Sequence, residues 1–234
     1  MNQPDDRLAL VQRFFAGTGR SYDFMVNLAT FGIDRRWKHR LVALMPHNPE
    51  RILDLACGTG ISTRTIAKRY PRCHVVGVEL RQEYLDIARE KTERLGINNI
   101  EWVLSRAEDY YSKMPFDCVS SSYLAKYAEL KRLTHNSRSM LKDGGLLLMH
   151  DFTFPPKPYL VIIWRIYFKF LQVFGTPFFP EWREIYYGLP QLIEKSRWVS
   201  ELNDLLKTNG FDSICTEHLT LYGSAIVTAR KLHL

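Results

Sequence analysis

From Arg51 onward, short apolar runs alternate with amphipathic stretches. Ile52 to Ala56, His74 to Val78, Ile100 to Leu104, Phe116 to Ser120 and Leu146 to Phe152 have the length and composition of buried strands. Between them, Ser62 to Tyr70, Gln82 to Leu95 and Leu130 to Leu141 repeat their apolar positions at helical spacing, and Gly96 stops the second of these. Strands that alternate with helices in this way pair in parallel and carry helices on both faces. The ending differs. Glu201 to Thr208 predicts a helix stopped by Gly210, while Ser213 to Leu219 and Ser224 to Ala229 predict two strands close enough to pair antiparallel. The expected fold is α/β: a doubly wound, Rossmann-like, mostly parallel sheet with a C-terminal antiparallel hairpin.

Two stretches stand outside that alternation. Pro4 to Leu44 reads as helices: Leu8, Leu10, Val11, Phe14 and Phe15 recur at helical spacing, and Trp37, Leu41 and Leu44 mark a later helical region. Phe154 to Arg197 is rich in aromatics and proline, and reads as a helical cover over a substrate site. The whole is expected to be one domain: an N-terminal helical lid (1–48), a cofactor-binding core (49–153), an aromatic helical insertion (154–198), and a C-terminal helix and hairpin (199–234).

Composition narrows the class. With 234 residues, 46% of them hydrophobic and 24% charged, the chain can bury a full core and is not a disordered segment. A net charge of +7 suits nucleic acid, an anionic membrane or an anionic ligand, and selects none of them. Cys57, Cys73, Cys118 and Cys215 form no C-x-x-C pair and read as reduced thiols. The beginning has no secretory signal pattern, and Arg165 and Lys169 interrupt the most apolar stretch, 159–179, before it reaches spanning length. A cytoplasmic location is expected. The histidines and carboxylates show no metal-ligand spacing, so no metal is expected.

The candidate chemistry begins at Asp54-Leu55-Ala56-Cys57-Gly58-Thr59-Gly60, where a strand ends and a helix opens. Gly58 and Gly60 carry no Cβ and let a ligand approach the main chain closely. A dinucleotide loop G-x-G-x-x-G would place a third glycine at position 63, which is Thr63 here. Asp54, an acid just before the glycines, instead suits the ammonium of S-adenosylmethionine. Glu79 closes the next strand, about 20 residues on, where an acid accepts hydrogen bonds from ribose hydroxyls.

With these residues in place, the chain resembles class I S-adenosylmethionine-dependent methyltransferases, and most closely the UbiE/MenG/COQ5 family of quinone C-methyltransferases. Tyr22 to Asn27 and Gly32 to Trp37 resemble that family's opening pattern, and Ala56 to Gly60 its cofactor loop. Met140 to Gly145, Tyr187 to Pro190 and Leu205 to Phe211 are similar to its later parts. The resemblance implies S-adenosylmethionine as cofactor and a lipophilic aromatic acceptor, a demethylated prenylquinol, methylated on a ring carbon. The cofactor-binding candidates are then Asp54, Ala56, Cys57, Gly58, Gly60, Glu79, Leu80, Arg106, Ala107, Glu108 and Ser121. There are two departures. Where the family carries an Asp or Asn toward adenine stands Arg106, which has no acceptor, leaving that contact to Glu108 or a backbone carbonyl. Tyr123-Leu124-Ala125-Lys126-Tyr127 replaces the family's Gly-Leu-Arg-Asn, keeping a positive charge at Lys126 but not the planar fork.

Ring methylation needs donor and acceptor held close and dry, and an acceptor made more nucleophilic, for instance by deprotonating a ring hydroxyl. Lys126, Tyr127, His150, Asp151 and Tyr22 are the candidates for that work. Each has a plainer alternative: a core histidine for His150, a turn cap for Asp151, a packing aromatic for Tyr22. Arg165, Lys169 and Gln172 form a narrow polar stripe on an otherwise apolar helix, which reads either as a buried helix or as a surface for a prenyl tail or peripheral membrane contact through 159–179. A homodimer is compatible with the sequence. Nucleic acid is not an expected partner, because Ser120-Ser121-Ser122-Tyr123 stands where base methyltransferases carry Asn/Asp-Pro-Pro-aromatic and the basic residues are scattered. The alternatives are another lipophilic small-molecule acceptor, or a non-catalytic lipid-binding or partner subunit of the same fold.

Overall fold

The computed structural model describes residues 4–233. Its centre is a seven-stranded sheet in the order β3-β2-β1-β4-β5-β7-β6. The strands are β1 (Arg51–Leu55), β2 (His74–Glu79), β3 (Ile100–Leu104), β4 (Phe116–Ser122), β5 (Leu141–Phe152), β6 (Phe211–Leu219) and β7 (Ser224–Lys231). The first five pair in parallel, and β7 runs antiparallel between β5 and β6. The predicted parallel sheet with a terminal hairpin is what the chain forms. The largest boundary difference is at β5, which begins at Leu141 rather than Leu146: Lys142 to Gly145 lie within the strand, where pairing with β4 jumps from Phe116–Leu141 to Cys118–Leu146. Gly144 absorbs the irregularity at φ +72°.

Alternation along the strands sorts the core into two layers. Leu53, Leu55, Val76, Val119 and Leu147 pack under α6 (Leu130–Met140) and α10 (Trp198–Thr208). Ile52, Val75, Cys118, Leu148 and Ile226 pack under α3 (Ile33–Ala43) and α4 (Ile61–Arg69). Asp54 shares the parity of Ile52, so its carboxylate falls on the α3 and α4 side.

The two stretches outside the βα pattern join into one cover. α1 (Pro4–Phe15) and α2 (Tyr22–Ala29) come from the N-terminal part. From the insertion come α7 (Pro158–Phe170), a π-helical turn (Leu171–Gly175), α8 (Thr176–Phe178), a 3₁₀ turn (Pro180–Trp182) and α9 (Arg183–Lys195). Phe14 and Met25 bury against Trp182, Ile185, Tyr186 and the core's Tyr127. Trp182 Nε1 donates to Ser21 Oγ at 2.9 Å, and the Tyr167 hydroxyl to the Ala29 carbonyl. Gly188 admits the close fit, since a Cβ there would meet the Phe14 ring at 2.4 Å. α5 (Gln82–Arg94) flanks the β2–β3 edge.

Candidate active site

Ligands of open α/β sheets sit at the carboxyl ends of the strands, where the strand order reverses. Here the reversal lies between β1 and β4. Both strands end in a residue forced to positive φ: Ala56 at +53° after β1, and Tyr123 at +69° after β4. Such strain persists where the surroundings over-determine it, commonly at functional sites. Three adjoining cavities open from this edge, and Tyr22 and Tyr123 line all of them.

The first cavity is lined by Ala56, Gly58, Glu79, Leu80, Arg106, Ala107 and Glu108, with Leu8 and Val11 of α1 above. Glu79 organises it. One carboxylate oxygen accepts the Gly58 N–H at 2.9 Å and the other the Arg81 N–H at 3.0 Å. Burial raises its pKa above the ordinary value, against those hydrogen bonds. Lone pairs remain for a diol. Arg106 lies 3.9 Å from Glu108 and 3.8 Å from Asp109, so its charge is held by acids. Glu108 is buried, and among the described residues its carboxylate accepts one hydrogen bond, from the Glu129 N–H. α1 is fastened over this cavity: Arg81 donates to the Gln12 carbonyl at 3.3 Å, and the Thr18 and Tyr84 hydroxyls lie 2.6 Å apart.

The second, smaller cavity continues from the glycine loop between Asp54, Cys57, Thr59, Ser62 and Lys38. Asp54 is fully buried, accepting hydroxyls from Thr63 at 2.7 Å and Ser120 at 3.0 Å, and burial lifts its pKa to about 6. Gly60 reaches neither cavity wall. It turns the chain at φ +78°, and a Cβ there would strike Trp102 at 2.6 Å. Cys57 is buried and its thiol pKa is raised well above the ordinary value, chiefly by desolvation.

The third cavity, about 420 Å³, lies on the other side of Tyr22 and Tyr123 and is almost wholly apolar. Met25, Trp37, Phe152, Leu160, Trp164 and Phe168 contribute to its wall. Lys126 brings the charge. Its ammonium is held by Asp151 Oδ1 at 2.5 Å and by the Tyr123 carbonyl at 3.1 Å, 4.5 Å from the Tyr127 ring centre. Asp151 is fully buried and also accepts the Lys126 and Phe152 N–H groups, so it holds Lys126 rather than facing the cavity. Burial lowers the Lys126 pKa, and Asp151 pulls the other way.

Besides Gly60 and Asp151, two further predicted residues point elsewhere. Ser121 is buried against Met149 Sδ, and its neighbour Ser122 reaches the cavity walls instead, because successive strand residues face opposite sides. His150 sits between the Ser122 and Ser224 hydroxyls at 2.8 and 2.9 Å; burial, then the charges of Lys38 and Lys126, keep it neutral. It is a hydrogen-bonded core histidine. Conversely, Lys38, Asp34 and Tyr123 were not among the sequence candidates. The sequence hints of them were the two stretches Gly32 to Trp37 and Tyr123 to Tyr127, and an acid and a lysine four apart on a helix beside Trp37.

A cavity with main-chain donors, a buried acid toward an ammonium and a second acid toward a diol suits S-adenosylmethionine. Residues 1–231 match the profile of the ubiE/COQ5 methyltransferase family. The chain belongs to this family. Membership makes it a methyltransferase that takes its methyl group from S-adenosylmethionine. Its relatives include the demethylmenaquinone methyltransferase of Thermus thermophilus, 30% identical over 91% of this chain and 97% of that one. The ubiquinone/menaquinone biosynthesis C-methyltransferase UbiE of Dinoroseobacter shibae is 26% identical over 97% and 93%. In fold it is similar to an O-methyltransferase family protein from Burkholderia thailandensis (TM-score 0.65, 15% identity, 94% of this chain and 62% of that one).

Proposed function

We propose that this family member methylates a ring carbon of a demethylated prenylquinol, with the ring in the apolar cavity beside Lys126. The observation that carries the reading is a single buried cation on an otherwise apolar aromatic wall, next to the Tyr22 and Tyr123 partition that faces the cofactor loop. S-adenosylmethionine supplies an electrophilic methyl group. Lys126, fixed by Asp151, faces the quinol hydroxyl and favours its ionised form, which loads electron density onto the adjacent ring carbon. That carbon forms the new bond as the sulfur–methyl bond breaks, then loses its hydrogen to restore the aromatic ring, so one proton leaves per turnover. Phe152, Tyr123 and Trp37 exclude water from the ring. Asp54 and Glu79 hold the ammonium and the ribose of the donor, and Glu108 reaches its adenine amino group.

The cavity rim supports a lipid-borne acceptor. Ile163 lines the cavity and is 57% exposed, and Ile162, Ile166, Phe170 and Phe174 continue the apolar surface outward. Such a patch, with exposed Lys169 beside it, fits peripheral contact with a membrane from which the prenyl tail enters. Arg165 is paired with Glu194 at 3.1 Å, which leaves Lys169 as the freer charge of the stripe. No helix among the described residues is long and apolar enough to cross a membrane.

The test is transfer of labelled methyl from S-adenosylmethionine to demethylated 1,4-naphthoquinols and benzoquinols with prenyl tails. Labelled C-methyl product is expected. Turnover only with an O- or N-nucleophile, or none with any quinol, sinks the acceptor assignment.

A further inference from the structure

Lys38 is a buried charge that the methyl-transfer reading leaves unused. It comes from α3 rather than from the glycine loop, and it is 5% exposed. Its one hydrogen-bond partner among the described residues is Asp34, one turn earlier on the same helix. An ammonium carries three donors, and burying it with two of them unfilled is costly unless a ligand completes the set. The Tyr123 ring, 4.8 Å away, interacts with the charge but accepts no conventional hydrogen bond.

The surroundings say which ligand. Lys38 and Asp54 line the same small cavity, with Thr59 and Ser62 between loop and helix, and each feels the other's charge. A cation and an anion on the walls of one narrow cavity match an α-amino-acid zwitterion. A nucleotide phosphate would be repelled by Asp54, and a neutral ligand would add no opposite charge to either wall of the cavity. The cavity shares Ala56 and Gly58 with the one that Glu79 organises, so both belong to a single ligand.

We propose that Lys38 binds the α-carboxylate of the methionyl part of S-adenosylmethionine, with Asp54 across the cavity on the ammonium. Asp34 is its positioning residue. The Tyr123 hydroxyl donates to the same Asp34 oxygen at 2.5 Å, so the carboxylate contact is tied to the residue that also walls the acceptor cavity. Filling of the donor site and the set of the acceptor wall are thereby linked through one aspartate. This deepens the cofactor reading and rests on it.

The test compares two ligands, S-adenosylhomocysteine and 5′-methylthioadenosine, which keeps nucleoside and thioether but lacks the amino-acid end. Each is titrated calorimetrically into wild type and Lys38→Met. The variant is expected to weaken S-adenosylhomocysteine roughly tenfold or more while methylthioadenosine changes by less than about twofold, and Lys38→Arg to recover part of the loss. Asp34→Asn/Lys38→Met, which leaves no unpaired buried acid, repeats the comparison if the single variant does not fold. Equal weakening of both ligands, or no weakening of S-adenosylhomocysteine, overturns the proposal and leaves Lys38 as lid packing. Wild type that binds methylthioadenosine but gains nothing from the amino-acid end also overturns it. Wild type that binds neither ligand overturns the cofactor assignment on which it stands.

Discussion

On one side of Tyr22 and Tyr123 the walls set main chain, carboxylates, arginines and the Lys38 ammonium among apolar residues such as Leu8 and Val11; on the other they are aromatic and aliphatic, with Lys126 the lone buried charge among the lining residues. The polar side is assembled largely from three short stretches at strand ends, 54–60, 79–81 and 105–108. The apolar side gathers residues from α1 to α3, the end of β4, the whole insertion and the β6–β7 turn. A charged ligand with a fixed outline is held by a few groups on a rigid sheet edge. A greasy acceptor is held by area, which many helices supply at low individual specificity. The difference predicts that substitutions on the polar side are sharp and local, and that those on the apolar side are graded, except at Lys126.

Lys126 is where that contrast would break first. Lys126→Met leaves Asp151 buried without its partner, and is expected to cost about 3–5 kcal/mol of stability by denaturant unfolding. Turnover should fall by roughly 10²–10⁴ while S-adenosylhomocysteine affinity stays within about twofold. Lys126→Met/Asp151→Leu should regain stability but not turnover. If turnover returns with the fold, the pair is only scaffolding.

The next effect sharpens the polar side. Glu79→Ala removes an acceptor from two backbone N–H groups and the ribose, so calorimetry should show S-adenosylhomocysteine bound roughly tenfold or more weakly, with quinol KM little changed. An effect on quinol KM alone would move Glu79 out of the donor site.

The pH response is smaller and belongs to Asp54. Its folded pKa of about 6 lies above the unfolded value. A raised acid stabilises the fold fully below the unfolded pKa, and that contribution is lost as pH rises through about 6. Binding has the opposite sense, because the donor's ammonium needs the ionised carboxylate. Affinity for S-adenosylhomocysteine should therefore decline as pH falls below about 6, by at most roughly tenfold per unit, and the slope should flatten in Asp54→Asn. An unchanged slope in that variant assigns the titration to another group.

The smallest expected change is at the rim. Ile163→Glu should raise KM for long-tailed quinols by roughly fivefold, leave short-tailed analogues within about twofold, and reduce sedimentation with anionic vesicles. Equal effects on both quinols would place the tail elsewhere.

How legible each side was follows from the same contrast. Asp54, Gly58 and Glu79 line the cavities, and the sequence could mark them as candidates because they sit within a few residues of a strand end, where local pattern and position in space coincide. Gly60 was visible as well, although its reason proved to be Trp102 and a left-handed turn. His150 and Ser121 show the limit of local pattern: alternation fixes only which residues share a face, and the packing of β7 and Met149 decided what those faces meet, giving His150 the core setting that was its plainer alternative. Lys38 lies far along the chain from the loop it faces, and no local pattern marks a helix residue as part of a pocket formed by another element.

Hydrophobic periodicity was enough to determine a parallel sheet with a terminal hairpin, and one glycine-acid loop to mark the sheet edge at which we propose the donor site, since strand alternation and turn chemistry act over a handful of residues. Only the folded chain decided that the N-terminal helices and the aromatic insertion close into a single cover, that Lys126 is buried against Asp151, and that Lys38 and Asp54 line one cavity. Those contacts join residues distant in sequence, and their energies come from mutual burial that no single segment carries by itself.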